Sequence, residues 1–238
     1  MKKIYIVIFA LIISTQVNSQ ETAVFFKKAN TFFKANVSNG KVAYNSIHKN
    51  QAELNELLML AKNIKVDKST KNEYQAFWIN AYNLTVIKGI IDNYPTKSPL
   101  SIGGFFDKTT YELGSTKTTL NNIEHQFLRG NFNDARFHFV LVCGAIGCPP
   151  LIAEAYMPST VNKQLEKQTK LALNGDYFIT VNAKKKKVIG SEILKWYKED
   201  FTMNGASEID FINKYRTEKI PSNYKLTYST YNWNLNKQ

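Results

Sequence analysis

The stretch from Phe77 to Ile91 (FWINAYNLTVIKGII) limits the fold more than any other segment, because as a helix it is apolar around nearly its whole circumference. Phe77, Trp78, Tyr82, Val86, Ile87 and Ile90 fall on different faces, so no side is left for water and protein must cover the helix all round. The capping-box sequence Thr70-Lys71-Asn72-Glu73 marks its start, and its end near Asp92 precedes Pro95. Asn80 and Asn83 lie about 60° apart on this cylinder. Their amides need hydrogen-bond partners inside the protein.

Two further helices precede it: Glu21 to Val37 carries apolar residues at helical spacing, and Gln51 to Ile64 repeats the pattern. Beyond Pro95 the pattern mixes. Thr109 to Leu113 and Lys117 to Thr118 flank Gly114-Ser115 as a hairpin, and Thr119 caps a helix that Gly130 ends. Arg136 to Cys143 (RFHFVLVC), rich in aromatic and β-branched residues, predicts the strongest strand, stopped by Pro149-Pro150. A helix from Ser159 to Asn174, closed by Gly175, leads to a hairpin of Tyr177–Val181 with Lys187–Ile189. Short helices begin at Ser191 and at the capping box Ser207-Glu208-Ile209-Asp210, before a tyrosine-rich tail ending Tyr231-Asn232-Trp233-Asn234-Leu235. Helices followed by segregated strands predict an α+β fold, a helical N-terminal half packed on a small, mainly antiparallel sheet.

The first nineteen residues read as an export signal. Lys2 and Lys3 supply the positive end, and Ile4 to Ile13 is an apolar run shorter than the roughly 20 residues needed to span a bilayer. Val17 and Ser19 stand at the small-residue positions before a cut between Ser19 and Gln20. The expected product is secreted or periplasmic: one globular domain over residues 20–238, without repeat, linker or transmembrane segment. A composition of 44% hydrophobic and 13% aromatic residues excludes a disordered chain. The formal charge of +12, or +10 without Lys2 and Lys3, favours encounters with an anionic polysaccharide or a membrane surface. Nucleic acid is not favoured, since no zinc finger, helix-turn-helix or aromatic RNA-binding motif accompanies the charge. Lys184 to Lys187 reads as a solvated hairpin tip.

Several motifs occur together: Phe77-Trp78-Ile79-Asn80-Ala81-Tyr82-Asn83, Ile123-Glu124-His125 with Leu128-Arg129, and Phe139 to Pro150 (FVLVCGAIGCPP). Glu154-Ala155-Tyr156, Trp196-Tyr197 to Phe201 and Tyr231 to Asn236 extend the set. Over residues 70 to 236 the chain resembles the bacterial and plant family called domain of unknown function 547. The resemblance implies no established activity. Some relatives join this domain to a glutaredoxin-like one, a hint of thiol chemistry that does not carry over to a chain without that partner.

Cys143 and Cys148 are the only cysteines, at the end of the predicted strand and in the glycine-rich turn after it. Outside the cytoplasm a disulfide across this short loop contributes about 2 kcal/mol by loop entropy. The four intervening residues differ from the two of a thioredoxin-like motif. A nucleophilic thiolate needs a base and a group to orient that base. His125 is the candidate base; strand alternation turns His138 away from Cys143 and leaves it a packing or surface role. Glu124 falls near the middle of the apolar face set by Leu120, Ile123 and Phe127, so it must be paired, bonded or protonated, with Arg129 or Arg136 as the candidate salt-bridge partner.

One reading is therefore a cysteine-dependent hydrolase or acyl transferase. Cys143 or Cys148 attacks, His125 is general base, Glu124 or Asn80 orients it, Asn83 supports the set, and the Gly144 to Gly147 backbone lines an oxyanion site. The order of histidine before cysteine is that of permuted papain-like enzymes, by analogy alone. A second reading is a non-catalytic envelope or glycan/lipid-binding module with a Cys143–Cys148 disulfide. A third places zinc on His125, Cys143 and Cys148 with Glu124 as general base, although the spacing is looser than in deaminase-like sites. Neither of the first two readings needs a cofactor.

Overall fold

The computed structural model describes residues 20–238, so the export signal read at residues 1–19 lies outside the described part. Helix α1 covers residues 20–36 and runs into the small hairpin of β1 (Val37–Ser38) and β2 (Lys41–Val42). Helices α2 (Tyr44–Lys49) and α3 (Ala52–Asn63) follow, then the long α4 (Lys71–Asp92). α4 is buried without a break from Tyr74 to Ile87, as a helix apolar on every side requires. α2, α3 and α7 (Val161–Asn174) pack around it. The Thr70 capping box does not form: the Thr70 side chain makes no cap bond, and the Asp67 carboxylate instead takes the Ser69 N–H at 2.7 Å.

The hairpin of β3 (Tyr111–Leu113) and β4 (Thr116–Thr118) leads into a helical run in three parts. These are α5 (Leu120–Asn122), a π-helical stretch (Ile123–Arg129) and α6 (Gly130–Phe132). The Thr119 hydroxyl accepts the Asn122 N–H at 3.1 Å, as its capping position predicts. The run continues past Gly130 and ends where Asn133 turns left-handed at φ 44°. The Ser207 capping box at α10 (Glu208–Tyr215) forms in full with Asp210.

The principal sheet has three strands in the order β5 (Ile179–Asn182), β6 (Lys187–Ser191) and β7 (Lys225–Ser229). β5 is antiparallel to β6 and β7 parallel to it, so this sheet is mixed, and the remaining sheets are antiparallel pairs. Short helices α8 (Glu192–Trp196) and α9 (Lys198–Phe201) follow β6. The architecture is α+β, as the pattern of elements predicts.

The predicted strand Arg136–Cys143 is absent. Ala135–Phe139 form a 3-10 turn that buries Phe137, His138 and Phe139, and an irregular segment continues to Cys148. Strand-like composition there reflects burial, because the segment finds side-chain and tail partners in place of a ladder. The Asn83 amide donates to the Val140 carbonyl and accepts the Val142 N–H, each at 2.9 Å. Asn80 serves the next loop in the same way, with Nδ2 on the Tyr156 carbonyl at 2.7 Å and Oδ1 taking the Tyr156 N–H at 2.9 Å. Gly144, at φ +85°, turns the chain where a Cβ would meet Ile90 Cδ1 at 2.5 Å.

The tail completes the frame. Ile146 and Gly147 donate to the Asn234 and Asn232 carbonyls at 2.8 Å, and Asn236 donates to the Gly144 carbonyl at 3.0 Å. Replacing Asn83 with Ala strands a buried carbonyl and a buried N–H, so urea denaturation of Asn83→Ala should give an unfolding free energy lower by about 2–4 kcal/mol. Asn162→Ala, which loses two exposed side-chain bonds, one to Asn72 and a long one from Arg136, should stay within about 0.5 kcal/mol of the parent.

Candidate functional site

A cavity of about 240 Å3 opens between α4, the π-helical stretch, the cysteine loop, α8 and the tail. Each element contributes a chemically capable group to it. Tyr82 comes from α4, Glu124 from the π turn, His138 from the 3-10 turn, and Cys143 and Cys148 from the loop. Trp196 and Tyr197 enter from the end of α8, and Tyr231 and Trp233 from the tail. Within the π turn Glu124 is buried while His125 stays exposed.

Cys143 and Cys148 are joined as a disulfide. Both sulfurs meet one hydroxyl: Tyr231 Oη lies 3.1 Å from Cys143 Sγ and donates to Cys148 Sγ at 3.0 Å. Cys148 Sγ also accepts the Cys143 N–H at 2.9 Å, so it has two donors where Cys143 Sγ has one neighbour. The Cys148 residue is buried and Cys143 partly exposed.

Behind this pair, His138 Nε2 bonds Asp200 Oδ2 at 2.6 Å. Arg129 grips the same carboxylate through Nε at 2.6 Å and Nη2 at 3.0 Å. Burial pushes the Asp200 pKa up, but the hydrogen bonds and charges of His138 and Arg129 outweigh it and hold the carboxyl well below the ordinary range. The Tyr197 ring lies 4.0 Å from the His138 ring and carries the Arg129 guanidinium at 4.8 Å. Burial raises the pKa of Tyr82, Tyr197 and Tyr231 far above the usual phenol value, and the Glu124 charge adds to the effect. Tyr82, Tyr197 and Tyr231 thus all lie within reach of the Glu124 charge.

The residues read from the sequence thus divide. Cys143, Cys148 and Glu124 share the cavity wall. His125 does not line it; its Nδ1 contacts Arg129 Nη1 on the exposed face. His138, read as turned away, faces the cavity, because a 3-10 turn replaces strand alternation. Asn80 and Asn83 bond loop backbone, Arg136 pairs with Asp134 at 2.6 Å, and Glu124 forms no ion pair with Arg129 or Arg136. The Gly144 to Gly147 backbone has less to offer an oxyanion, since the Ile146 and Gly147 N–H groups are taken by the tail. Among the described residues no three His, Cys, Asp or Glu side chains gather as a metal set, so His125, Cys143 and Cys148 do not form the expected zinc ligands.

Residues 66–171 match the family model described as protein of unknown function, DUF547. That segment is a DUF547 domain. No curated protein and no solved structure matches the chain. The matched DUF547 segment carries Tyr82, Glu124, His138 and both cysteines; Trp196, Tyr197, Tyr231 and Trp233 close the same cavity from beyond it, and Asp200 holds His138 from behind. Asp200 and Tyr231 carry chemistry that sequence reasoning missed. The signal available was their place in the aromatic motifs Trp196–Phe201 and Tyr231–Asn236.

Asp200 has a depressed folded pKa, so its stabilising contribution is complete above the unfolded value of about 3.9 and disappears as pH falls through the folded value. Asp200→Asn, which leaves Arg129 and His138 without their carboxylate, should lower stability at pH 7 by about 2–4 kcal/mol. The deficit should shrink as pH falls from about 4 toward 2 in urea titrations, because the parent progressively loses the same contribution over that range.

Proposed function

We propose that this is an exported thiol–disulfide exchange enzyme whose reactive bond is Cys143–Cys148. The observation that carries the reading is the Tyr231 hydroxyl, 3.0 Å and 3.1 Å from the two sulfurs at a cavity wall. A substrate thiolate attacks Cys143 Sγ, the more accessible sulfur. The Cys143–Cys148 bond breaks, and its electron pair leaves on Cys148 Sγ, stabilised there by the Tyr231 hydroxyl and the Cys143 N–H. A second substrate thiolate then attacks the substrate sulfur of the mixed disulfide and releases Cys143 as a thiolate. The substrate pair is oxidised to a disulfide, the enzyme is reduced to a dithiol, and an organic disulfide as second substrate reoxidises it. Glu124 and His138, both at the cavity, are the groups able to take the incoming thiols' protons.

A structural role for the disulfide explains less. The loop it closes is already fixed by Ile146, Gly147 and Asn236 bonds to or from the tail backbone and by Asn83 on the preceding segment. The cross-link is therefore not what gives the loop its shape, and a reduced form can keep it. The hydrolase and acyl-transferase reading needs a free thiolate beside His125, whereas the sulfurs are bonded to each other and His125 lies off the cavity. Export rests on the Lys2-Lys3 charge, the Ile4–Ile13 run and the residues before Gln20, and it suits an oxidised resting state.

The protein purified without reductant should show no free thiol, and mild reduction should release two. The reduced form should stay folded, with a Tm lower by about 4–8 °C, equivalent to about 2 kcal/mol of loop entropy. Tyr231→Phe should slow reduction by a small dithiol about 10- to 100-fold, the loss of one bond to a developing thiolate. An unchanged rate in Tyr231→Phe, or a reduced form that unfolds, contradicts the proposal.

A further inference from the structure

Glu124 is a buried carboxyl group that forms no ion pair with any described residue. Its residue is 9% exposed, it lines a cavity, and the neighbours on which its charge acts there are the phenols of Tyr82, Tyr197 and Tyr231. Among the described residues none of the ion pairs includes it. The cation acting on it from nearby, Arg129, has its guanidinium committed to Asp200 by two bonds and stacked on Tyr197. An ionised carboxylate withdrawn from water is unfavourable unless a positive group joins it.

The walls facing Glu124 favour the same kind of guest. Trp196, Tyr231 and Trp233 form an aromatic cluster with ring centres 4.9 Å, 4.7 Å and 5.9 Å apart. Trp196 is 45% exposed, so the cluster opens to solvent. Aromatic faces attract ammonium groups, most strongly where water is excluded. A cavity of about 240 Å3 is below the range of drug-sized pockets and suits a small group.

We infer that the cavity binds a small molecule through its alkylammonium group, with the cationic nitrogen on Glu124 and the carbon skeleton against Trp196, Tyr231 and Trp233. This deepens the exchange reading: the substrate becomes a small aminothiol or its disulfide, its nitrogen held at Glu124 and its sulfur presented to Cys143. The binding itself does not depend on that chemistry. The overall positive charge of the chain opposes approach of a cation, and salt screens this long-range repulsion more than the contact at Glu124.

The test uses the oxidised mature chain, with tryptophan fluorescence as readout and choline as probe. Its neutral isostere 3,3-dimethylbutan-1-ol has the same shape without the charge. Choline should change the fluorescence saturably and bind at least about tenfold more tightly than the alcohol. Glu124→Gln should remove that preference, and Trp196→Ala should weaken choline binding while leaving Glu124 in place. Equal binding of choline and the alcohol by the parent overturns the inference, as does a choline preference that survives Glu124→Gln. A second arm follows reoxidation of the reduced protein by bis(2-aminoethyl) disulfide and by bis(2-hydroxyethyl) disulfide. A rate ratio favouring the amine, lost in Glu124→Gln, supports the linked account; a ratio unaffected by the variant overturns the placement of the substrate nitrogen. Saturable choline binding with no reoxidation by either disulfide sinks the exchange chemistry alone and leaves the cation site standing.

Discussion

A helix with no solvent face must be enclosed, and whatever encloses it is held in register by the few polar groups it carries. In this protein α4 carries Asn80 and Asn83 in an apolar surface, and each spends its amide on the backbone of a covering loop. Asn83 bonds both sides of Leu141 and so fixes the approach to Cys143. Tyr82, between the two asparagines, looks into the cavity. The burial of one helix thus sets the floor of the site and the path of the chain that brings the sulfurs to it.

On this frame the tail acts as a clamp. Residues 232–236 bond the cysteine loop along its length and deliver Tyr231 to both sulfurs, and Asn236 also reaches the Tyr44 hydroxyl at 2.8 Å. A second network backs the cavity, from Arg129 through Asp200 to His138, with the Tyr197 ring packed against His138 and within reach of the Glu124 charge. Glu124 raises the pKa of Tyr231 as well as Tyr197, so the carboxylate and the disulfide are coupled through one phenol. A cation arriving at Glu124 would weaken that effect and make the Tyr231 hydroxyl a better donor to a departing thiolate.

What the sequence disclosed follows a physical division. Most local signals survived, the Thr70 capping box excepted: the all-round apolar α4, the Thr119 and Ser207 caps, both predicted hairpins and the inward Glu124 depend on residues near one another in the chain. Where long-range pairing decided the outcome, composition misled. Residues 136–143 are strand-like in content, yet their N–H and carbonyl groups go to turn bonds and Asn83, and the change from strand to 3-10 turn carries His138 into the cavity. The parallel pairing of β7 with β6 joins residues 38 apart, Lys187 with Lys225, and nothing local announces it. Asp200 and Tyr231 were visible as members of aromatic motifs, but their roles depend on partners 62 and 83 residues away.

The account turns on whether Cys143–Cys148 is a working bond or a fixed staple, and its reduction potential separates the two most directly. Equilibration of the protein with glutathione buffers, read by thiol alkylation, should give a potential within the exchange range of about −120 to −270 mV. A value below about −300 mV, the range of structural disulfides that resist the glutathione pool, would contradict it.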